Sequence, residues 1–221
     1  MIGPLKRLVN NADTRSLAVR LRRRRFELFL SLLERVPAPV KVLDIGGTAS
    51  FWRTMPASGR DRLRIKLLNL ELQPVDGTDM ESVVGDATKL SRFGGGEFDV
   101  VFSNSVIEHL RTFDAQLRMA DEVRRVGKRY FVQTPNLYFP IEPHFLVPGF
   151  QFLPLELRAR LLSRFDLGWC KRIPDLDRAR AEVESIRLLS RADLRRIFPE
   201  AELYEERFGG MVKSFVAHSG W

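Results

Sequence analysis

The sequence predicts an α/β fold of the doubly wound kind, in which helices cover both faces of a mostly parallel sheet. Short apolar runs of strand length recur in the first half of the 221-residue chain, and each ends at an acidic or polar residue. An amphipathic stretch at 111–126 then precedes another apolar run at 129–134. Near the C-terminus, runs at 202–208 and 211–217 are joined by a pair of glycines, which predicts a hairpin. Alternating strands and helices followed by a hairpin indicate a parallel sheet extended at one edge.

The first predicted strand, Val40–Ile45, leads directly into Gly46 and Gly47. This is how a buried parallel strand meets a tight turn into a helix. Glycines in such a turn allow a ligand to approach the backbone closely. Asp44, next to the turn, adds a carboxylate to this end of the strand.

Three more polar residues follow later strands of the predicted sheet. Glu71 ends the run at 65–70, where a carboxylate accepts hydrogen bonds from a ribose diol. Asp86 follows the short apolar stretch 83–85, where a carboxylate accepts a hydrogen bond from the exocyclic amine of adenine. Asn104 ends a fourth run. The four strand ends together predict a nucleoside site.

The glycine turn favours one adenosine ligand over the others. A pyrophosphate requires close backbone approach at several positions, usually supplied as G-x-G-x-x-G. Here the turn continues with Thr48, Ala49 and Ser50, and no P-loop lysine follows it. NAD, FAD and ATP are therefore disfavoured. S-adenosylmethionine has no phosphate, and its zwitterionic methionine end suits an acidic strand tip and backbone amides.

These motifs resemble those of the class I S-adenosylmethionine-dependent methyltransferases, specifically the type 11 group. The resemblance covers about 40–135 and lies in Asp44-x-Gly46, Glu71, Gly85-Asp86-Ala87 and the segment 105–110. It implies a Rossmann-like, seven-stranded sheet, mostly parallel, with an antiparallel C-terminal strand. It also implies cofactor roles for Asp44, Gly46 and Gly47 at the methionine end, Glu71 at the ribose, Asp86 and Ala87 at the adenine, and Asn104 under the transferring methyl group.

The chain departs from the family pattern in its turn, where Thr48 and Ser50 replace further glycines. A Rossmann-like fold that has lost its cofactor is the alternative. Some ubiquinone-pathway O-methyltransferases are similar around 105–110, but they carry a glutamate where Ser105 stands, and their acidic pair and histidine can hold a divalent ion. Because that hard-metal ligand is missing, we expect no metal. The Asn/Asp-Pro-Pro-aromatic motif of nucleic-acid amino-methylating enzymes is also missing after the fourth run.

The segment 135–157 contains five prolines, which forbid a long helix, and five aromatic residues, which are too many for a plain solvent loop. It leaves the fifth predicted strand at the edge where open α/β sheets bind ligands. We therefore predict a lid over the acceptor site, followed by helices at about 154–198. A hydrophobic plug that packs those helices onto the sheet is the alternative, and contact of the exposed part with lipid is a third interpretation.

Methylation of a hydroxyl requires a group that removes its proton. His144 lies near Glu142, where an imidazole can accept a proton near pH 7; a structural hydrogen bond within the lid is the alternative. His109 follows Glu108 in a pair that more often shapes the pocket in the resembling family. His218 lies at a C-terminus that we expect to be frayed. The candidate catalytic residues are therefore His144 and His109, and the candidate acceptor contacts are Glu108, Tyr138, Glu142 and Phe145.

Length and composition predict a single domain at 37–221, which the resemblance implies is a methyltransferase domain, preceded by a basic amphipathic helical region at 1–36. The lone Cys170 excludes an internal disulfide and favours a reducing compartment, so we expect a cytoplasmic protein. No apolar segment is long enough to span a bilayer. Eight basic residues lie between Lys6 and Arg25, against Asp13 alone, and the leucine period places them on the outer side of a helix. They form a solvated face or contact an anionic inner membrane surface, a phosphate-bearing substrate or nucleic acid.

The sequence thus predicts an O-methyltransferase that uses S-adenosylmethionine and acts on a hydroxyl of a small, sugar, lipid-linked or glycan-linked acceptor. An RNA methyltransferase that binds through the basic helix is a rival, and its binding would fall steeply with salt. Nucleic acid is less favoured because the chain has no RNA-binding appendage. A cofactor-dead adaptor at a membrane surface is the third alternative.

Overall fold

The structure is a computed structural model that describes residues 17–54, 60–75 and 79–221. Three residues of the predicted basic region, Lys6, Arg7 and Arg15, lie outside the described residues. Within the described ranges, no helix has both the length and the apolar character needed to cross a bilayer.

Seven strands of the described chain form one sheet. They are β1 Val40–Ile45, β2 Leu63–Asn69, β3 Met80–Val84, β4 Val100–Asn104, β5 Tyr130–Pro135, β6 Glu202–Phe208 and β7 Met211–Ser219. Their order is β3-β2-β1-β4-β5-β7-β6. Neighbours among β1 to β5 are parallel, whereas β7 is antiparallel to both β5 and β6. The predicted seven-stranded sheet, with its antiparallel C-terminal strand and hairpin, is confirmed.

Helices cover both faces of the sheet. They are α1 Leu17–Leu33, α2 Ala49–Thr54, α3 Phe113–Val126, α4 Leu155–Arg164, α5 Leu176–Glu184 and α6 Arg191–Ile197. The helix predicted at 111–126 begins at Phe113 because Thr112 is its N-cap, with a side chain that accepts a hydrogen bond from the Ala115 amide. A capping box of Ser190 and Asp193 starts α6 in the same way.

The two faces of the sheet have separate cores because side chains alternate along each strand. In β1, Leu43 and Ile45 pack with α3 and α6 on one face, whereas Val42 packs with α1 and α2 on the other. The second core is rich in aromatic residues, among them Phe29 of α1 and Trp52 of α2. This packing holds α1 firmly on the domain.

Helix α1 has the predicted amphipathic character, and Arg20, Arg23 and Arg24 are exposed. Their contact with an anionic surface stays a prediction. The outward placement expected for all the arginines is wrong for Arg25, which is only 7% exposed. Its position four residues after Leu21 and four before Phe29 places it within the buried stripe of the helix. An ion pair with Glu206 compensates the buried charge, at 3.2 Å between Arg25 Nε and Glu206 Oε1.

The substitution Phe29→Ala should destabilise the domain by about 3–5 kcal/mol, the usual cost of emptying a buried phenylalanine site. Phe29 is fully buried and its ring contacts Trp52, Phe102 and Phe131. The measurement is the urea midpoint of unfolding. Glu27→Ala, an exposed change on the same helix, should leave the midpoint nearly unchanged. Equal midpoints for the two variants would show that α1 does not contribute to the folded core.

The part of the segment 135–157 that lies between β5 and α4 is irregular, with a single short 3₁₀ turn at Phe150–Phe152. Two of its aromatic residues, Phe145 and Phe150, are buried in a small third core with side chains of α4 and α5. The alternative of a hydrophobic plug therefore describes this part of the segment. Tyr138 and Phe152, by contrast, are 67% and 55% exposed and stack on each other.

Candidate functional site

The predicted strand-end residues lie at one edge of the sheet, where the parallel strands end. Ile45 pairs with Leu68 on one side and Ser103 on the other, and Asn104 pairs with Gln133. The order of the strands reverses between β1 and β4, because the chain adds β2 and β3 on one side of β1 and β4 on the other. Open α/β sheets bind ligands in the crevice at such a point.

The turn after β1 depends on the backbone of Gly46. Its φ is +75°, and a Cβ there would lie 2.4 Å from Cγ2 of Val106, beyond the end of β4. Its amide donates a hydrogen bond to the Leu68 carbonyl at 2.8 Å. Ser105 also has a positive φ, +58°, which is uncommon for a residue with a side chain. The turn after β1 and the turn after β4 therefore pack closely against each other, at the point where the strand order reverses.

Asp44 is placed differently from what the sequence suggested. Its carboxylate is 1% exposed and accepts a hydrogen bond from Nε1 of Trp52 at 2.6 Å. Burial raises the pKa of this carboxyl to about 8, although the Trp52 hydrogen bond opposes the rise. A Cβ on Gly47 would lie 1.7 Å from Asp44 Oδ2. Asp44 therefore supports the turn from beneath and does not present a free carboxylate. No local sequence pattern indicates that its partner is Trp52.

The predicted ribose and adenine ends are more open. Glu71 is exposed two residues beyond β2, between Leu70 and Leu72, whose side chains are 79% and 69% exposed. Apolar residues on both sides of a strand-tip acid suit the rings of a nucleoside, and this is a signal in the sequence that the strand-end acids alone do not give. Asp86 is also exposed, and its Oδ1 accepts hydrogen bonds from the amide and hydroxyl of Thr88, both at 2.8 Å.

The residues fit S-adenosylmethionine better than a phosphate-bearing cofactor. Gly46 and Gly47 have backbone that a side chain would obstruct, Glu71 and the flanking leucines are accessible, and Ala87 is buried behind Asp86. The turn itself brings no lysine or arginine that a pyrophosphate would require.

Asn104 is held by a residue from the N-terminal helix. Nη1 of Arg25 donates a hydrogen bond to Asn104 Oδ1 at 2.7 Å, across 79 positions of sequence. The carboxylate of Glu206 forms an ion pair with Nε of the same Arg25 guanidinium. It also accepts a hydrogen bond from the Ser214 hydroxyl at 2.8 Å. The orientation of the Asn104 amide is therefore set by a buried network that includes α1.

The two candidate histidines lie together beyond β4 and β5. The rings of His109 and His144 meet edge to face, with centroids 5.0 Å apart. Nδ1 of His144 is 2.6 Å from Glu142 Oε1, and Glu142 Oε2 accepts hydrogen bonds from the amides of His144 and Phe145. Burial acts to lower the pKa of His144, but Glu142 outweighs burial and raises it. For His109, burial and the neighbouring His144 lower the pKa.

Glu108 is fully buried beside this pair. Its Oε2 accepts a hydrogen bond from the hydroxyl of Thr134 at 3.0 Å, whereas Oε1 has no hydrogen-bond partner among the described residues. Burial raises the pKa of Glu108 to about 7, against the opposing effects of its backbone hydrogen bond, His144 and Thr134. Two expected acceptor contacts, Glu108 and Glu142, are thus buried next to the candidate bases, and Tyr138 is exposed.

The structure corrects two further expectations. Phe145 is 1% exposed because its ring packs on Phe150, so its side chain is part of the third core and not of an open acceptor surface. His218 does not lie in a frayed terminus: it is 8% exposed in β7, where it stacks on Phe131. The hairpin with β6 provides the tertiary contacts that order this end of the chain.

Known proteins match this chain over part of its length. Residues 55–130 match the family described as a methyltransferase domain. Uncharacterized proteins from two strains of Mycobacterium tuberculosis are 40% identical over 65 residues, which are 29% of this chain and 22% of theirs. The chain therefore spans about a fifth of the length of the curated relatives that it matches.

Solved structures share the fold. An S-adenosylmethionine-dependent methyltransferase of Methanosarcina mazei has a TM-score of 0.53 at 13% identity, over 85% of this chain and 95% of its own. Magnesium protoporphyrin IX methyltransferase of Synechocystis, solved with bound S-adenosylhomocysteine, has a TM-score of 0.56 at 10% identity, over 98% and 92%. The CurJ carbon methyltransferase has a TM-score of 0.53 at 11% identity, over 87% and 51%.

At such identities the shared fold does not determine the acceptor, because these neighbours include a carbon methyltransferase. Residues 55–130 match a methyltransferase domain, and the order of the strands is that of a methyltransferase fold. The chain therefore contains a methyltransferase domain with the fold of the S-adenosylmethionine-dependent methyltransferases.

Proposed function

We propose that this protein transfers a methyl group from S-adenosylmethionine to a hydroxyl oxygen of a small, sugar, lipid-linked or glycan-linked acceptor. The observation that carries the proposal is the pairing of His144 with the buried carboxylate of Glu142, beside His109 and beyond the ends of β4 and β5. A hydroxyl, unlike a thioether or an already neutral amine, must lose a proton during methyl transfer, and a carboxylate-supported imidazole is suited to accept it.

The cofactor supplies a methyl group bonded to a positively charged sulfur. In our proposal the turn at Gly46 and Gly47 holds the methionine end, with Asp44 supporting the turn from below. Glu71 binds the ribose diol, and Asp86 with Ala87 lies at the adenine. Asn104, held by Arg25, lies at the transferring methyl group.

The acceptor side uses the residues beyond β4 and β5. His144 accepts the hydroxyl proton at Nε2, since Nδ1 is engaged by Glu142. Glu142 stabilises the imidazolium that results. Hydrogen bonds from the backbone amides of His144 and Phe145 keep the carboxylate of Glu142 in place. His109 orients the pair, and the buried Glu108 closes the acceptor side of the site from within the domain. Tyr138, which is exposed, contacts the acceptor in this proposal.

The cofactor half of the proposal is tested by calorimetric titration with S-adenosylmethionine and S-adenosylhomocysteine. The Glu71→Ala variant should bind both about 10-fold to 100-fold more weakly, because hydrogen bonds to a charged group are worth about 1.5–3 kcal/mol. Glu184→Ala removes another exposed carboxylate, at the end of α5, and should bind like the wild type.

Either of two results would count against this assignment. If Glu71→Ala bound both compounds with unchanged affinity, the ribose would not bind at the tip of β2. Failure of the wild-type protein to bind either compound would favour a methyltransferase fold that has lost its cofactor.

A further inference from the structure

Three residues with metal-binding atoms converge beside the acceptor side of the site. Glu108 and His109 belong to the 3₁₀ turn Ile107–His109 after β4, and His144 belongs to the irregular segment after β5. One ligand atom from each lies within 4.8 Å of the others. Three ligands on one ion of the Zn²⁺ type, at about 2.0–2.2 Å each, are at most about 4 Å apart, so a small side-chain rotation would bring them to one centre.

The strongest sign that this cluster takes a ligand is the carboxylate of Glu108. The residue is fully buried, and its Oε1 has no hydrogen-bond partner among the described residues. A buried carboxylate oxygen without a partner loses its hydration and gains nothing in return, so such atoms are rare in folded proteins. A cation beside the two imidazoles would supply the missing partner.

The surroundings hold the ligands in the form that binds a metal. Glu142 occupies Nδ1 of His144 at 2.6 Å, which leaves Nε2 as the nitrogen available to an ion. Thr134 occupies Glu108 Oε2 and leaves Oε1 available. Proteins usually orient metal-binding histidines and carboxylates by hydrogen bonds to further carboxylate or hydroxyl groups.

We propose that Glu108, His109 and His144 bind one divalent transition-metal ion of the Zn²⁺ or Co²⁺ class. Two imidazole nitrogens and one carboxylate oxygen suit such ions, whereas Mg²⁺ and Ca²⁺ prefer sites made of oxygen ligands. The exposed His109 is the member that faces solvent. Three protein ligands would leave a further coordination position for water or an acceptor oxygen.

This inference goes beyond the proposed function and does not depend on it, because the ligands are present whether or not the chain methylates a hydroxyl. The sequence predicts no metal because Ser105 stands where some related enzymes carry a glutamate. His144 lies 35 or more positions further along the chain than Glu108 and His109, so no local pattern indicates that the three residues converge. An ion at this place would occupy Nε2 of His144, the nitrogen that accepts the proton in the proposed function, so His144 would serve as the base only in the metal-free protein.

The test is a titration of the full chain, freed of metal by a chelator, with Zn²⁺ by calorimetry and with Co²⁺ by visible absorption at pH 7.5. We expect one ion per chain and a rise in Tm on binding. Glu108→Gln, His109→Asn and His144→Asn should each weaken binding at least 10-fold. Glu142→Gln, which keeps every ligand, should weaken it about 10-fold to 100-fold through the orientation of His144. Mg²⁺ in excess should not displace Co²⁺.

Two variants control for adventitious binding elsewhere. His218→Asn removes the other histidine of the described chain and Cys170→Ser removes the lone thiol, and both should bind one ion as the wild type does. Glu108→Gln is isosteric and removes a buried charge, so it should fold; retained S-adenosylhomocysteine binding would establish this.

The proposal is overturned by any of three results: no stoichiometric binding to the wild type, unchanged binding in both Glu108→Gln and His144→Asn, or binding lost in Cys170→Ser or His218→Asn. Equal affinity for Mg²⁺ would also overturn the assigned class of ion. These titrations contain neither cofactor nor acceptor, so their failure is distinguishable from failure of the methyltransferase proposal.

Discussion

The substitution Gly47→Ala should lower S-adenosylmethionine affinity at least 10-fold, or about 1.4 kcal/mol. A Cβ at this position would lie 1.7 Å from Oδ2 and 2.1 Å from Cγ of Asp44. The carboxyl group cannot withdraw easily because it is buried and hydrogen-bonded to Trp52. The backbone of the turn must therefore move, and it is this backbone that we propose holds the methionine end of the cofactor. Calorimetry with S-adenosylhomocysteine measures the effect.

The same variant should also lose stability, since overpacking of a filled site costs about 1–3 kcal/mol. Gly94→Ala is the matched control: the nearest atom to its added Cβ is the Glu97 side chain at 3.8 Å, in open surroundings. It should retain both Tm and affinity. If Gly47→Ala were to bind the cofactor as tightly as the wild type, the methionine end would not rest on this turn.

The second large effect is expected for His144→Asn, which should lower kcat by about 10²-fold to 10⁴-fold, the range for loss of a general base. Asparagine keeps a polar side chain of smaller size but cannot take up the proton. KM for the acceptor should change much less, because the imidazole acts on the proton and not on binding. The measurement is methyl transfer from labelled S-adenosylmethionine to the acceptor found by screening hydroxylated compounds, on chelator-treated protein.

The pH dependence of methyl transfer distinguishes a His144 that acts as the base from a His144 that has only a structural role. Burial lowers the pKa of His144, but the hydrogen bond and charge of Glu142 outweigh it and raise the pKa above the ordinary histidine value. Activity should therefore rise with pH as the imidazolium loses its proton, with its midpoint above that of an ordinary histidine. Glu142→Gln removes the charge, lowers the pKa and should move this limb to lower pH.

His218→Asn is the control, because this residue lies in β7 against Phe131, away from the acceptor side of the site. Its kcat should match the wild type. A fall in kcat of less than about 10-fold in His144→Asn, with an unshifted pH profile in Glu142→Gln, would assign the pair to holding its segment in place.

The sequence predicted the parts of this protein that are encoded locally. Strand β1 was predicted with the bounds that the structure has, and β2 and β5 to within two residues, because a short apolar run that is followed by glycine, proline or an acid has few other structures available. The C-terminal hairpin followed from two glycines between strand-like runs. Since parallel strands present their C-terminal ends at one edge, the common location of Glu71, Asp86 and Asn104 followed as well.

What sequence reasoning missed depends on contacts between distant segments. Arg25 was expected to face solvent like the other arginines of α1, although its place in the helical period puts it on the buried side. A buried arginine needs a partner for its charge, and that partner is Glu206, which lies far along the chain. Phe145 was expected to face an acceptor, because nothing in an aromatic residue itself indicates whether a neighbouring helix will cover it. The pairing of Asp44 with Trp52 likewise depends on how α2 turns back over β1.

The sequence by itself determined the class of the fold and the edge of the sheet at which Glu71, Asp86 and Asn104 lie, because periodicity, glycine placement and strand-end acids act over a few residues. Only the tertiary structure decided that Glu108, His109 and His144 converge on one point and that Glu142 orients the last of them. The physical reason is that the segments after β4 and β5 are brought together by the pairing of those two strands and by the burial of Phe145 and Phe150, and neither is visible in the local pattern.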